Sequence, residues 1–288
     1  MRVIGLTGSI ATGKSTCSQT LSSPPYSLPL IDADILARKA VEPGTWGYQR
    51  IVATFGPTTP DLLLPASDPL CGGNDDGPNG KGRPLNRPGL GRRVFGSSEE
   101  RTRDRKKLNA IVHPAVRFYM ARALLYYYLL GHWAVVLDVP LLFESGLDIF
   151  CSTVMVVAVS DPKIQMQRLR DRDPHLSAED AENRVKSQVD VREKAARCEY
   201  RNQGKRNAGK GYVLYNDGGK EDLKIQIAEV MLKIRTGSPK WWSLLLLVCP
   251  PLMATVASWE VLSNWWLRRK TRKERGAGVQ QKMTMSDM

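Results

Sequence analysis

Five short apolar runs recur along the chain, at residues 2–6, 28–31, 133–137, 154–159 and 212–215, each closed by glycine, asparagine, serine or aspartate. The runs are continuous rather than alternating, which marks strands covered on both faces, as in a parallel sheet. Helix-compatible segments lie between them: 14–21, 35–55 with a break at Pro43-Gly44, a stretch opening at Ser97 or Ser98 and running to Ile111, and 116–130. His113-Pro114 is expected to interrupt the helical pattern, because proline lacks an N–H and collides with the preceding turn. Ser160-Asp161-Pro162 opens a further helix with a cap and a first-turn proline. Ser177-Ala178-Glu179-Asp180, a variant capping box, opens a polar helix to Glu199, and 220–235 form a last amphipathic one. Strands alternating with helices predict the α/β class, with a five-stranded parallel sheet flanked by helices.

Two stretches break this rhythm. Residues 57–83 hold five prolines and five glycines and few large apolar side chains, and are expected to form a disordered insertion. Residues 241–259 carry no charge and are bracketed by tryptophans at 241, 242, 259, 265 and 266. The expected organisation is therefore an α/β domain over 1–236, a hydrophobic helical membrane anchor over 240–267 and a disordered basic tail over 268–288.

Charge sharpens the picture. The formal net charge of +13 is concentrated in residues 81–107, with ten basic against three acidic side chains, and in 268–288, with seven against two. The internal cluster suits a polyanionic small molecule, and the terminal one suits the flank of a membrane surface. No nucleic-acid module such as an RRM or a zinc finger is legible, so no nucleic-acid partner is expected. The five cysteines form no C-x-x-C pair and have no histidine at metal-ligand spacing, which fits a reducing compartment. Arg2 is followed only by the short first strand, so no signal peptide is expected and the catalytic part is expected in the cytosol. Nothing in the pattern specifies an oligomer.

The chemistry begins at the end of the first run. Gly8-Ser9-Ile10-Ala11-Thr12-Gly13-Lys14-Ser15-Thr16 fits G-x-x-x-x-G-K-[ST], a phosphate-binding loop between a strand and a helix. Its backbone N–H groups turn inward on phosphate oxygens, Lys14 reaches the β- and γ-phosphates, and Ser15 offers a hydroxyl to Mg²⁺, which implies ATP as the nucleotide. Ligands of open parallel sheets gather beyond the carboxyl ends of the strands. Asp32 and Asp34 follow the second run there, where they read either as chemistry or as caps of the helix that begins near Ile35. Asp138 closes the third run as a candidate partner of Mg²⁺. Arg168 and Arg172 share one helix face at i, i+4, suited to neutralising a migrating phosphoryl group.

Together these motifs resemble the dephospho-CoA kinases in a eukaryotic form, with a fungal one within that range. The resemblance covers residues 2–235 apart from 57–83. It rests on Gly5-Leu6-Thr7-Gly8 with the phosphate loop, Ile31-Asp32-Ala33-Asp34 with Ala37-Arg38, and Leu85-x-Arg87-x-x-Leu90 with Val94-Phe95. It continues through Leu108-x-x-Ile111-x-His113-Pro114, Asp138-x-Pro140-Leu141-Leu142-Phe143-Glu144, Gln165-x-x-Arg168-Leu169-x-x-Arg172, Gln188 and Asn216-Asp217-Gly218. It implies a P-loop kinase with a helical CoA-binding region, a lid over about 160–200, ATP and Mg²⁺ as cofactors, and dephospho-CoA as substrate, phosphorylated on its 3′-hydroxyl. It further implies Asp34 as general base with Asp32 in support. By the same resemblance Arg38, Leu85, Arg87, His113, Pro140 and Leu141 would border the acceptor pocket, and Arg168 and Arg172 would sit on the lid. The chain departs from the family at Ser9 and Ala11, where glycine is usual, at Asn86, and in the basic loop 201–211.

The same loop and acids would serve a nucleoside-type kinase, and a membrane-tethered nucleotide switch is a third reading, weakened by the lack of an N-K-x-D guanine reader. The terminal tryptophans suggest tethering to the cytosolic face of an organelle or a lipid monolayer. Pro250-Pro251 and the basic flank argue for a hairpin or in-plane anchor over a spanning one.

Overall fold

A computed structural model describes the chain except for residues 97, 176, 178–181, 183–184, 186–190, 203–208, 238–239 and 287–288. The elements are β1 (Arg2–Gly8), α1 (Lys14–Ser22), β2 (Leu30–Asp32), α2 (Ala33–Lys39), α3 (Trp46–Phe55), α4 (Arg87–Val94), α5 (Glu99–Leu129), β3 (Ala134–Asp138), α6 (Leu142–Ser145), β4 (Thr153–Ala158), α7 (Pro162–Arg172), α8 (Val191–Tyr200), β5 (Gly211–Tyr215), α9 (Lys220–Thr236), α10 (Lys240–Val248) and α11 (Pro250–Ser286). They fall into two compact units, residues 1–31 with 127–288, and residues 32–126.

The first unit holds the expected five-stranded parallel sheet, in the order β2-β3-β1-β4-β5. Its strands are apolar throughout because both faces are covered. On one face Ile4, Leu6, Val136, Met155, Val157 and Leu214 pack against Cys17 and Leu21 of α1 and Leu223, Ile227 and Met231 of α9. Each such side chain contributes about 1.5–3 kcal/mol on burial, which is why α9 keeps an apolar stripe inside an otherwise charged sequence. Toward Leu142 and Cys151 the sheet is approached so closely that a Cβ on Gly5 would fall 2.6 Å from the Cys151 sulfur and 2.9 Å from a Leu142 methyl. Burial pushes the thiols of Cys17, Cys151 and Cys198 up to about 12.

The second unit is helical around Tyr48, Ile51, Phe55, Leu62, Leu85, Leu90, Val94 and Ile111. It corrects two expectations. Residues 57–83 are not a free insertion. Leu62 joins the apolar cluster, Cys71 is fully buried, Leu63 bridges Leu85, and the Tyr48 hydroxyl donates to the Arg83 carbonyl at 2.7 Å. Leu62 and Leu63 face the cluster, whereas Leu70 stays 66% exposed. Nor does His113-Pro114 break the helix: α5 runs through Pro114. The lost hydrogen bond is outweighed by the packing of Ile111 and Ala115 on either side of it, both buried.

A third correction lies at the C-terminus, where α11 continues to Ser286 instead of giving way to a disordered tail. The arginines, lysines, glutamines and methionines of this stretch are helix formers, and no proline follows Pro251. The helix breaks at Pro250, as that residue predicts, so α10 and α11 are separate. Among the described residues no helix is long and apolar enough to cross a membrane. The capping box at 177–180 and Gln188 fall almost wholly outside the described residues, as does much of 160–200 beyond α7.

Gly5→Ala is expected to cost about 1–3 kcal/mol in a urea denaturation series, the usual penalty of overpacking. Adding Cys151→Ala should recover part of it; an unchanged midpoint in the single variant would show that the approach is looser than described.

Candidate active site

The phosphate loop is built by three contacts from three directions. Thr12 closes it from within, its hydroxyl donating to the Ser9 carbonyl at 2.9 Å. Gln165 of α7 donates to the Ile10 carbonyl at 2.8 Å, and Asn216, just past β5, donates to the Thr12 carbonyl at 2.9 Å. Gly13 stands at φ +97°, and a Cβ there would fall 2.3 Å from the Asn216 amide. Only glycine therefore allows both the left-handed turn and the close approach. With no side chain capping it, α1 begins directly at Lys14, so its first N–H groups are left for an anion.

Lys14 and Asp138 meet at the carboxyl edge of the sheet. The register of β1 on β3 sets Leu6 beside Asp138, and the Lys14 ammonium lies 2.5 Å from the Asp138 carboxylate. The aspartate side chain is 5% exposed and the lysine 19%, so the pair is only weakly screened. Two residues on, the Pro140 carbonyl accepts from the Thr7 hydroxyl at 2.9 Å and from the Lys194 ammonium at 2.8 Å. Lys194 is fully buried and sits 3.6 Å from Glu144. Burial pulls its pKa down, and Glu144 opposes that shift.

The other predicted residues are placed as follows. Ser15 is exposed on the first turn of α1, and Thr16 is half-buried beside it. Arg168 donates to the carbonyls of Asn216 (2.7 Å) and Gly218 (3.0 Å), so its guanidinium is held at the β5 loop, and Arg172 pairs with Asp173 at 2.9 Å. Leu141 is largely exposed and Pro140 half-buried. Within the second unit, Asp32 caps α2, accepting from the N–H groups of Asp34 (2.7 Å) and Ile35 (3.1 Å). Asp34, Arg38, Arg87 and His113 have exposed side chains, whereas Leu85 belongs to the apolar cluster. Within the first unit this arrangement can cradle a polyphosphate and present cations to it, and within the second the Asp34 carboxylate is exposed.

A family model described as "CoaE: Dephospho-CoA kinase" matches residues 2–65 and 77–207. The chain belongs to the dephospho-CoA kinase family. It is similar to the dephospho-CoA kinase CAB5 of Saccharomyces cerevisiae, with 40% identity over 277 residues that cover 96% of this chain and all of the yeast protein. A Bacillus cereus dephospho-CoA kinase is 42% identical over 231 residues, covering 80% of this chain and 96% of its own. Among solved structures, TT1252 from Thermus thermophilus superposes with a TM-score of 0.58 at 28% identity, covering 81% of this chain and 97% of that one. The yeast likeness fits the eukaryotic, fungal form expected from the motifs.

Set against the family motifs, the two departures in the loop differ in cost. Ser9 is buried and its carbonyl takes the Thr12 hydroxyl. Ala11 adopts φ +60°, a left-handed conformation that a side chain disfavours by about 1–2 kcal/mol. Asp138 is the candidate Mg²⁺ partner read from the third run, and Gln165 and Asn216, which stand in motifs legible in the sequence, prove to hold the phosphate loop. Lys194 gave no signal at all, being one lysine in a basic helix.

Two outcomes follow from this geometry. Ala11→Gly should leave nucleotide binding intact and raise stability by up to about 1 kcal/mol, while Ala11→Val lowers it by at least as much, read by denaturation with and without ATP. Asn216→Ala should raise the KM for ATP about 10-fold, the effect of losing one buried hydrogen bond under the loop, with little change in the KM for the acceptor.

Proposed function

We propose that the chain transfers the γ-phosphoryl group of ATP to the 3′-hydroxyl of dephospho-CoA, giving coenzyme A and ADP. The observation that carries this reading is the loop of Gly8–Thr16 built onto Asp138 and Asn216, within a chain whose family is defined by that reaction. In this reading the Asp34 carboxylate takes the proton of the 3′-hydroxyl as its oxygen bonds to the γ-phosphorus. The bond from that phosphorus to the β–γ bridging oxygen breaks, and ADP leaves with the electron pair. Lys14 and the loop amides stabilise charge on the β- and γ-oxygens, and Arg168 and Arg172 do so from the lid side. Asp32 orients the start of α2 and so the base. Arg38, Arg87, His113, Pro140 and Leu141 border the acceptor, with Leu85 behind them.

Mg²⁺ fits this donor set. It commonly takes one or two protein oxygens and fills the remaining positions with phosphate and water, and the exposed Ser15 hydroxyl is free to hold it, with the Asp138 carboxylate beside Lys14. When bound it screens the β- and γ-oxygens. A nucleotide phosphate that drew Lys14 from Asp138 would leave that carboxylate to face the metal.

We also propose that the catalytic part works in the cytosol while α10 and α11 rest in the plane of a membrane surface, on the cytosolic face of an organelle or a lipid monolayer. Trp241, Trp259 and Trp266 are 62–71% exposed, with Leu245, Val248 and Leu262 beside them, and the Arg269 guanidinium lies 5.4 Å over the Trp265 ring. Exposed tryptophans beside a basic run suit the headgroup boundary of anionic lipid.

A coupled assay should show turnover with dephospho-CoA and little with adenosine. Asp34→Asn is expected to lower kcat by at least about 100-fold with ATP affinity kept within a few-fold; survival of kcat would remove Asp34 from the role of base. In flotation with phosphatidylserine vesicles, replacing Trp259, Trp265 and Trp266 by alanine should reduce binding by about 10-fold or more. Equal flotation of the two proteins would dismiss the surface anchor.

A further inference from the structure

The turn that follows the Asp138 strand end is held only in part by its own hydrogen bonds. After Pro140 the chain forms the single-turn helix α6, passes Gly146 and makes a short 3₁₀ turn, Leu147–Phe150, before β4. A one-turn helix supplies few internal donors, and here Ser145 gives its N–H to the Leu141 carbonyl at 2.9 Å and its hydroxyl to the Leu142 carbonyl at 3.2 Å, while the Cys151 N–H closes on the Asp148 carbonyl at 3.2 Å. Other carbonyls of the turn take donors from farther along the chain. Arg268 of α11 donates to the Phe143 carbonyl at 2.9 Å and lies 3.3 Å from the Asp148 carboxylate. Asn264, one helical turn earlier and only 1% exposed, donates to the carbonyls of Ile149 and Cys151, both at 3.0 Å. Arg201 completes the set with the other Asp148 oxygen at 3.2 Å and the Cys151 carbonyl at 3.0 Å. The fit is tight: a Cβ on Gly146 would fall 2.2 Å from the Arg268 guanidinium.

Arg201 lies inside the segment matched by the family model, which ends at 207, whereas Asn264 and Arg268 lie beyond it. Asp148 is thus shared between the kinase domain and the C-terminal extension. We infer that Arg268 and Asn264 are positioning residues for phosphoryl transfer: α11 braces the 140–151 turn, and through it the Pro140-Leu141 border of the acceptor pocket. The inference rests on the proposed assignment of that border to dephospho-CoA. The brace acts on the acceptor side, because Lys14 and the phosphate loop make their own contacts with Asp138, Gln165 and Asn216 and none with α11 among the described hydrogen bonds.

The test is steady-state kinetics on the full-length chain with both substrates varied, alongside thermal melts. Arg268→Ala is expected to raise the KM for dephospho-CoA about 10-fold while kcat and the KM for ATP stay within about 2-fold, the signature of lost uniform binding on one side only. Arg268→Lys should recover part of the loss. In an Asp148→Asn background the further effect of Arg268→Ala should shrink, since the two side chains act together. Should Arg268→Ala fold poorly, Asn264→Ser and Arg268→Lys carry the same KM split at smaller amplitude. An acceptor KM that ignores all these changes in a folded, active enzyme overturns the inference alone. So does a uniform worsening, with kcat and melting temperature lowered and both KM values raised, which would mean support of the whole domain. Failure of the wild type to use dephospho-CoA overturns the proposed function, and the inference with it.

Discussion

Everything at the nucleotide end depends on one register, the parallel pairing that sets Leu6 of β1 against Asp138 of β3. Because parallel strands point the same way, their last residues arrive at one edge together, and the chain can place the lysine of a glycine-rich turn beside an acid 124 residues away. A slip of one residue would turn Asp138 toward the opposite face and leave Lys14 facing apolar side chains. Buried Val135, Val136 and Leu137 of β3 resist that slip, since each would have to leave its covered position. The chemistry is thus specified by residues that take no part in it.

The sheet, the phosphate loop and the family were legible because each is written in contiguous residues. Continuous apolar runs cannot be amphipathic, and the loop motif requires glycines at fixed offsets. What escaped was information carried across the chain. Leu62 and Cys71 order the proline-rich stretch through contacts with residues that no local composition rule weighs. Pro114 is tolerated because Ile111 and Ala115 are packed on their partners. Lys194 reaches Pro140 from another element, and its burial has no signature in a segment otherwise full of solvent-exposed charge. Within the second unit Asp32 turned out to be the cap of α2, the plainer of the two readings its spacing allows, and Asp34 is exposed.

The charged contacts beneath the C-terminal helix follow a different logic from the apolar core. An aspartate between two arginines is a poor source of net stability, because each ion must first lose its water. Burial accordingly raises the Asp148 pKa, and Arg201 and Arg268 hold it back. What such a cluster provides is geometry: the guanidinium forks fit only one arrangement of the carbonyls around them. Apolar packing would tolerate a sliding helix there, and these bonds do not.

The three thiols sealed against the sheet have a practical consequence. At neutral pH Cys17, Cys151 and Cys198 are almost wholly protonated and out of reach of solvent, so an alkylating reagent meets them only when the sheet opens. Their rate of modification is a built-in clock for that opening, readable by mass spectrometry residue by residue. Cys17 would report on the α1 side, and Cys151 and Cys198 on the other, without any probe being attached to the protein.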